Sequence, residues 1–341
     1  MGESPHPTVF DEDLYRVLHV HPRADPAVID VAYKALLKKY APRKAGDSES
    51  TARSLGEAYM ILSDPRERRK YDEHRRSASD GAIGPYRLLN RIAEGGFGVT
   101  YKAKHVLLGE LSCIKHCSEI SPQAELILKE ETKSIWNLRH YGLPIMRDLL
   151  ALADGSYALV MSWVAGPTVQ QVVEKHGRLH PENVAWITER ILNTLVYLQH
   201  HGVLHGDIKP QNIIVQEETH IVVLVDFGLS VVRPSSSSTS KGYTALFSSP
   251  EQIAGKTLVP GSDFYSLGAT MLYALGGGFG AVERKDVPKE LPDAMCAFIK
   301  KLLVHDVLAR PRNAEELFEE FKRVRMESFG REHSDMKQFT L

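Results

Sequence analysis

The sequence predicts an α+β bilobal domain with an all-helical module ahead of it, on three patterns. Apolar residues between 11 and about 76 recur at helical spacing. From Tyr86 the pattern becomes strand-like, through Arg87-Leu-Leu-Asn-Arg-Ile-Ala-Glu-Gly-Gly-Phe-Gly-Val-Thr-Tyr101 and again in Gly109-Glu-Leu-Ser-Cys-Ile-Lys115. After Gly166 helical patterns dominate, broken by short apolar strands around Ile213 and Val223. At 341 residues the chain has room for two domains of about 150 residues and a buried core.

The helical module is punctuated by Pro22, Pro26, Pro42 and Pro65. Leu14, Val17 and Leu18 form a first helical stripe. In the next segment, Ile29, Ala32, Tyr33, Leu36, Leu37 and Tyr40 share one face. Asp25 is placed to cap that helix, with Pro26 at its first position. A third helix carries Ala52, Leu55, Ala58, Tyr59 and Leu62, and Ser63-Asp-Pro65 stops it, because a residue before proline avoids the helical region. The boundaries expected are a helical domain at 10–76, a small-residue linker at 77–85, a main domain at 86–325 and a polar tail at 326–341. Basic residues along 322–331 are expected on a solvated helix face.

Composition narrows the function classes. Hydrophobic residues at 43% and charged residues at 25% exclude wholesale disorder and a disulfide-stapled miniprotein. Lys plus Arg number 42 and Asp plus Glu 43, so no global field draws the chain to nucleic acid or an anionic membrane. Cys113, Cys117 and Cys296 include no CxxC pair, which fits a reducing compartment. The opening MGESPHPTVF lacks the pattern of a signal peptide, and no apolar run reaches membrane-spanning length. A cytoplasmic protein is expected, with neither nucleic acid nor membrane as partner.

Chemistry enters with a series of residues that are each ordinary alone. Gly95-Gly96-Phe97-Gly98 reads as a hairpin turn, Lys115 as a strand charge and Glu131 as a solvated helix residue. Then come His205-Gly-Asp207-Ile-Lys209-Pro-Gln-Asn212 and, after the apolar run Ile221-Val-Val-Leu-Val225, Asp226-Phe-Gly228. A carboxylate ending such a buried strand is costly unless a cation or hydrogen-bond donors face it. In that order, the set supplies what phosphoryl transfer requires: backbone amides and a lysine for phosphates, two oxygen ligands for magnesium, and a carboxylate to receive a hydroxyl proton.

On these motifs, residues 86 to about 325 resemble a eukaryotic-type, bacterial-like Ser/Thr protein kinase domain. The resemblance implies a bilobal fold with a β-rich first lobe and a helical second one. It implies ATP and Mg2+ as cofactors, with Mn2+ as the alternative ion, and proteins as substrates. It casts Gly95, Gly96, Phe97 and Gly98 as the nucleotide-covering loop, Lys115 as the phosphate lysine and Glu131 as its partner. Asp207 resembles the catalytic base, Lys209 the lysine that steadies the transferring phosphate, and Asn212 and Asp226 the magnesium ligands. Cys113, Met161, Val164 and Ile214, with Ala93, are expected to line the adenine slot. Asp263 resembles the aspartate that braces the catalytic loop, and Glu251 and Arg310 resemble an ion pair of the family.

There are departures. Ala93 and Thr100 stand where a glycine and a valine are usual, Tyr243 where a glycine is usual, and Gly206 replaces the arginine that meets a phosphate on the activation loop. Activity is therefore expected not to depend on that charge pair, and the hydroxyls of 235–240 to be dispensable. No phosphate, metal or base position is lost, which favours an enzyme over the alternative, a pseudokinase scaffold bound to a J-like adaptor.

The helical module resembles a J-domain, the part of DnaJ-type co-chaperones that stimulates a heat-shock ATPase. The match lies in Asp13-Leu-Tyr-Arg-Val-Leu18, in Ile29, Ala32, Tyr33, Leu36 and Tyr40, and in Glu57-Ala-Tyr-Met-Ile-Leu-Ser-Asp-Pro65 through Tyr71-Asp72. Where the family carries His-Pro-Asp, this chain has Ala41-Pro42-Arg43, so the imidazole is gone and the acid has become a guanidinium. A retained fold without co-chaperone activity is expected, serving as a docking or regulatory module for a protein partner. Residues 1–80 alone are therefore expected not to accelerate ATP hydrolysis by a DnaK-type chaperone at micromolar concentration. Stimulation in a steady-state ATPase assay would contradict the charge argument, and Ala41→His with Arg43→Asp is the gain-of-function control.

Overall fold

The computed structural model describes residues 14–22, 24–40, 47–79, 81–95, 98–117, 125, 128, 129, 132, 133, 135–152, 154–232, 234 and 242–331. It divides into two compact units, residues 1–119 with 149–159, and residues 120–148 with 160–341.

The first unit begins with four helices: α1 (Leu14–Val17), α2 (Pro26–Tyr40), α3 (Asp47–Ser63) and α4 (Pro65–Ser79). Asp25 caps α2 as expected, its Oδ1 accepting from the Ala27 amide at 2.8 Å. Leu14, Tyr15, Leu18, Ile29, Leu55, Ala58, Leu62 and Tyr71 form the core, with Tyr33, Leu36 and Tyr40 packed against it. The Ser63-Asp64-Pro65 break does more than end a helix. Asp64 accepts from the amides of Arg66 (2.7 Å) and Glu67 (3.1 Å) and so starts α4, a stretch expected to be helical but not set apart as a fourth helix. That helix fastens the N-terminal segment. The Tyr71 hydroxyl accepts from the Leu14 amide at 2.9 Å, and Arg68 donates to the Tyr15 hydroxyl (3.0 Å) and to the carbonyls of Pro22 (3.0 Å) and Ala24 (2.9 Å).

The expected linker at 77–85 is corrected at both ends. Its first residues belong to α4, and β1 (Ala82–Ile83) pairs antiparallel with β2 (Tyr86–Gly95), Ala82 opposite Arg87 and Ile83 opposite Tyr86. Small residues had suggested a spacer, but Ile83 and Tyr86 are both buried and their burial favours pairing. β3 (Gly98–His105), β4 (Leu111–Cys117), β5 (Met146–Ala151) and β6 (Tyr157–Ser162) complete a sheet of order β1-β2-β3-β4-β6-β5. Two register shifts in the β2–β3 ladder, at Leu88/Asn90 and Arg91/Ala93, mark bulges that bend it.

In the second unit α5 (Val169–His176), α6 (Pro181–His200), α7 (Pro250–Ile253), α8 (Pro260–Gly276), α9 (Phe279–Arg284), α10 (Asp293–Leu302) and α11 (Ala314–Phe329) surround the short strands β7 (Val203–Leu204), β8 (Ile213–Gln216), β9 (Ile221–Leu224) and β10 (Val231–Val232). α8 is buried from Gly261 to Leu275 and forms the axis of the core. α11 runs beyond the expected boundary at 325 and ends at Gly330, which adopts the left-handed conformation (φ 72°) of a helix C-cap. Nor is its basic run wholly solvated. Arg325 is 1% exposed and ion-paired with Glu189 on α6, itself buried, while Arg331 donates from Nε to buried Glu182 at 2.7 Å. Helical spacing alone does not show that one arginine of such a run points inward.

A buried pair is expensive to break from one side, because the remaining charge has neither water nor a partner. Arg325→Ala is expected to lower stability by about 3–5 kcal/mol, read as a lower midpoint in chemical or thermal unfolding, whereas Arg323→Ala is expected to be nearly neutral.

Candidate active site

The site residues of the second unit lie on one stretch of backbone. β8 and β9 pair in register, Ile213 opposite Leu224, and the Val225 amide donates to the Asn212 carbonyl at 2.8 Å. Asn212, at the start of one strand, is thereby set beside Asp226, just past the end of the other. Asp226 has a positive φ of 66°, and its Oδ1 accepts from the Gly228 amide at 3.2 Å.

Asp207 is 7% exposed, with donors around its carboxylate. Thr244 Oγ1 donates to Oδ1 at 2.8 Å, while Lys209 Nζ (2.8 Å) and Asn212 Nδ2 (2.9 Å) both reach Oδ2. The Asn212 amide also donates to the Asp207 carbonyl at 2.9 Å, so its nitrogen is committed and its oxygen is the atom left for a cation. Lys209 in turn donates to Thr244 Oγ1 at 3.0 Å, closing a ring of three side chains around the carboxylate. Thr244 is a residue of this ring that the sequence reading did not assign. A hydroxyl in a polar loop carries no pattern that separates it from its neighbours.

The backbone under this ring is held from below. Asp263 on α8 accepts from the amides of His205 (Oδ2, 2.8 Å) and Gly206 (Oδ1, 2.8 Å), as the resemblance implied. Burial lowers the pKa of the His205 imidazole, so the ring is neutral, with Nδ1 accepting from the Asp207 amide at 3.3 Å. Gly206 sits at φ 73°, where a Cβ would come within 2.6 Å of the Leu229 carbonyl oxygen. Glu251 on α7 is gripped by both terminal nitrogens of Arg310, at 2.9 and 2.5 Å, and accepts from Ser262 Oγ at 2.6 Å. Burial alone would raise its carboxyl, but the hydrogen bonds from Arg310 and Ser262 outweigh it and hold the group below its usual range.

Of the expected adenine-slot residues in this unit, Met161 is buried and Val164 half-buried. Ile214 forms a bridge with Thr168, tying β8 to the segment after Val164. In the first unit, Gly95 and Gly98 close the β2–β3 hairpin as a pair, and a Cβ on Gly98 would lie 2.1 Å from the His116 carbonyl oxygen. No other residue fits there without backbone movement. Lys115 pairs with Thr100 and Cys113 with Lys102 across β3 and β4, while the two departures Ala93 and Thr100 face each other across the hairpin. Gly96, Phe97 and Glu131 lie outside the described residues, as do the tripeptide 41–43 and the hydroxyl run 235–240.

The protein kinase domain family matches residues 86–321. The chain belongs to the protein kinase family. Relatives of this kinase domain include Serine/threonine-protein kinase PrkC of Bacillus subtilis, 27% identical over 281 residues, covering 76% of this chain and 42% of the relative. Serine/threonine-protein kinase pkn3 of Myxococcus xanthus is 27% identical over 271 residues, covering 70% and 50%. Serine/threonine-protein kinase B of Synechocystis is 31% identical over 216 residues, covering 57% and 37%. The chain thus spans half or less of the length of these Ser/Thr kinases. The DnaJ domain family matches residues 13–72, and the four N-terminal helices fit a J domain. Among the described residues no helix is long and apolar enough to cross a membrane.

The Glu251–Arg310 pair gives this kinase domain a pH signature. A carboxyl with a depressed folded pKa stabilises fully above its unfolded value, and the contribution is lost as pH falls through the folded value. Glu251→Gln is expected to cost about 3–5 kcal/mol near neutrality, since it leaves Arg310 buried without its anion. The gap between variant and wild type should begin to narrow below about pH 4, where the unfolded wild-type chain takes up the proton, and close as pH falls through the depressed folded value. Thermal midpoints of both proteins between neutral and acidic pH measure it.

Proposed function

We propose that this chain transfers the γ-phosphate of Mg-ATP to Ser or Thr hydroxyls of protein substrates, with its J-like domain as a docking or regulatory module. The observation that supports this best is the Asp207 carboxylate, held by Lys209, Asn212 and Thr244, with the Asn212 carbonyl bonded to the Val225 amide one residue before Asp226. An amide oxygen and a carboxylate are hard oxygen donors of the kind magnesium accepts, and two protein ligands suit an ion otherwise held by water and phosphate. When bound, Mg-ATP supplies the transferable phosphoryl group and its charge neutralisation.

The residues of the chain do the rest. Asp207 presents a carboxylate oxygen to the incoming hydroxyl and would take its proton as the new O–P bond forms and the bond from the γ-phosphorus to the ADP oxygen breaks, releasing ADP. Lys209 keeps one positive charge within 2.8 Å of that carboxylate, where negative charge must be balanced during transfer. Asn212 holds the Asp207 side chain with its amide nitrogen and offers its oxygen to the metal alongside Asp226. Gly98 lets the β2–β3 turn approach its neighbouring strand, and Lys115 is the cation assigned to the nucleotide phosphates. Lys209 favours a Ser/Thr over a Tyr acceptor, in line with the names of the relatives. The J-like helices keep their core and caps, which is what a docking module needs, while the substituted tripeptide argues against chaperone stimulation.

Asp207→Asn and Asp226→Asn are each expected to lower phosphate incorporation by about 10²–10⁴-fold with the fold intact. Labelled ATP with magnesium, scored on the chain itself and on casein with circular dichroism as control, measures this. Unchanged incorporation in both variants would refute the assignment.

A further inference from the structure

The activation segment and the catalytic loop need a tie, and position 206 cannot provide a cationic one. Gly206 carries no side chain, and at φ 73° a Cβ there would meet the Leu229 carbonyl oxygen at 2.6 Å. What the structure offers instead is Gln252. This residue on α7 is 2% exposed, and its side-chain nitrogen donates to the Gly206 carbonyl at 2.7 Å and to the Gly242 carbonyl at 3.0 Å. Both neighbours are carbonyl oxygens, which only accept, so the nitrogen rather than the oxygen of the amide must face them. Both amide hydrogens are used. The Gln252 Oε1 is buried and has no hydrogen-bond partner among the described residues, an unfavourable arrangement kept where the same group donates twice.

The two carbonyls belong to the segments whose alignment matters. Gly206 carries the peptide bond leading into Asp207, and its amide is already held by Asp263. Gly242 lies two residues before Thr244, which donates to the Asp207 carboxylate. A shift of either backbone would move Thr244 relative to Asp207. We propose that Gln252 is a positioning residue for phosphotransfer: by donating to both backbones it keeps residues 242–244 seated on the catalytic loop through uncharged hydrogen bonds. It touches no reacting atom and acts through Asp207 and Thr244. The inference rests on the kinase reading above.

The test uses the full chain with casein, labelled ATP and magnesium, and compares wild type with Gln252→Met and Gln252→Glu. Methionine keeps the volume and removes both donors. Glutamate regains one donor only when protonated, which burial against two carbonyl oxygens favours. The expected result for Gln252→Met is a kcat reduced by about tenfold or more, with the KM for ATP and the thermal midpoint close to wild type. Gln252→Glu should be as impaired at about pH 8 and recover several-fold towards about pH 6, relative to the wild-type pH profile. A methionine variant with wild-type kcat would overturn the proposal, as would a glutamate variant with no acid recovery. If kcat, ATP affinity and thermal midpoint fall together, Gln252 is a packing residue and the positioning role is refuted. A wild-type chain that labels neither itself nor casein would instead bring down the kinase reading and this inference with it.

Discussion

A carboxylate buried in the core of the second unit fixes the backbone on which the site is built. Asp263 is 3% exposed on a helix that is apolar on almost every side, and it accepts from two successive amides of the catalytic loop. Those amides point away from the strands and have no ladder of their own, so the helix supplies what secondary structure does not. From there the order passes outward. The amide of Asp207 is caught by His205, its side chain is set by Lys209, Asn212 and Thr244, and Asn212 is locked to the neighbouring strand.

This hierarchy explains why much of the molecule could be read from residues alone. The caps and apolar faces of the helical module depend on local spacing, so Asp25, Ile29, Leu55 and Leu62 lie where periodicity puts them. Asp207, Asn212 and Asp226 stand out because their charges and amides sit against apolar strands, where only function or pairing tolerates them. The contacts that escaped are those between segments far apart in sequence. The bonds of Thr244 to Asp207 and of Gln252 to Gly206 join residues that no short window contains. The start of α4 as a helix of its own was not drawn for a different reason: a proline that stops one helix is equally suited to start the next, and the capping geometry of Asp64 shows that it does both.

The two families present in the chain have kept different things. In the kinase domain Asp207, Lys209 and Asn212 form one bonded cluster, while Ala93, Thr100, Gly206 and Tyr243 depart from the pattern the resemblance implies. In the J-like domain the reverse holds: core, caps and the Tyr71–Leu14 tie remain, and the charged tripeptide has been replaced.

The pairing of Arg325 with Glu189 separates two kinds of boundary. The protein kinase domain match ends at residue 321, but the helix that carries the counter-ion for Glu189 continues to Phe329. A chain cut at residue 321 would keep Glu189 buried and remove the Arg325 guanidinium that faces it. It would have to take up a proton or admit water to survive. In this protein the segment matched by the family is therefore shorter than the helix that completes the core, and the difference includes one guanidinium.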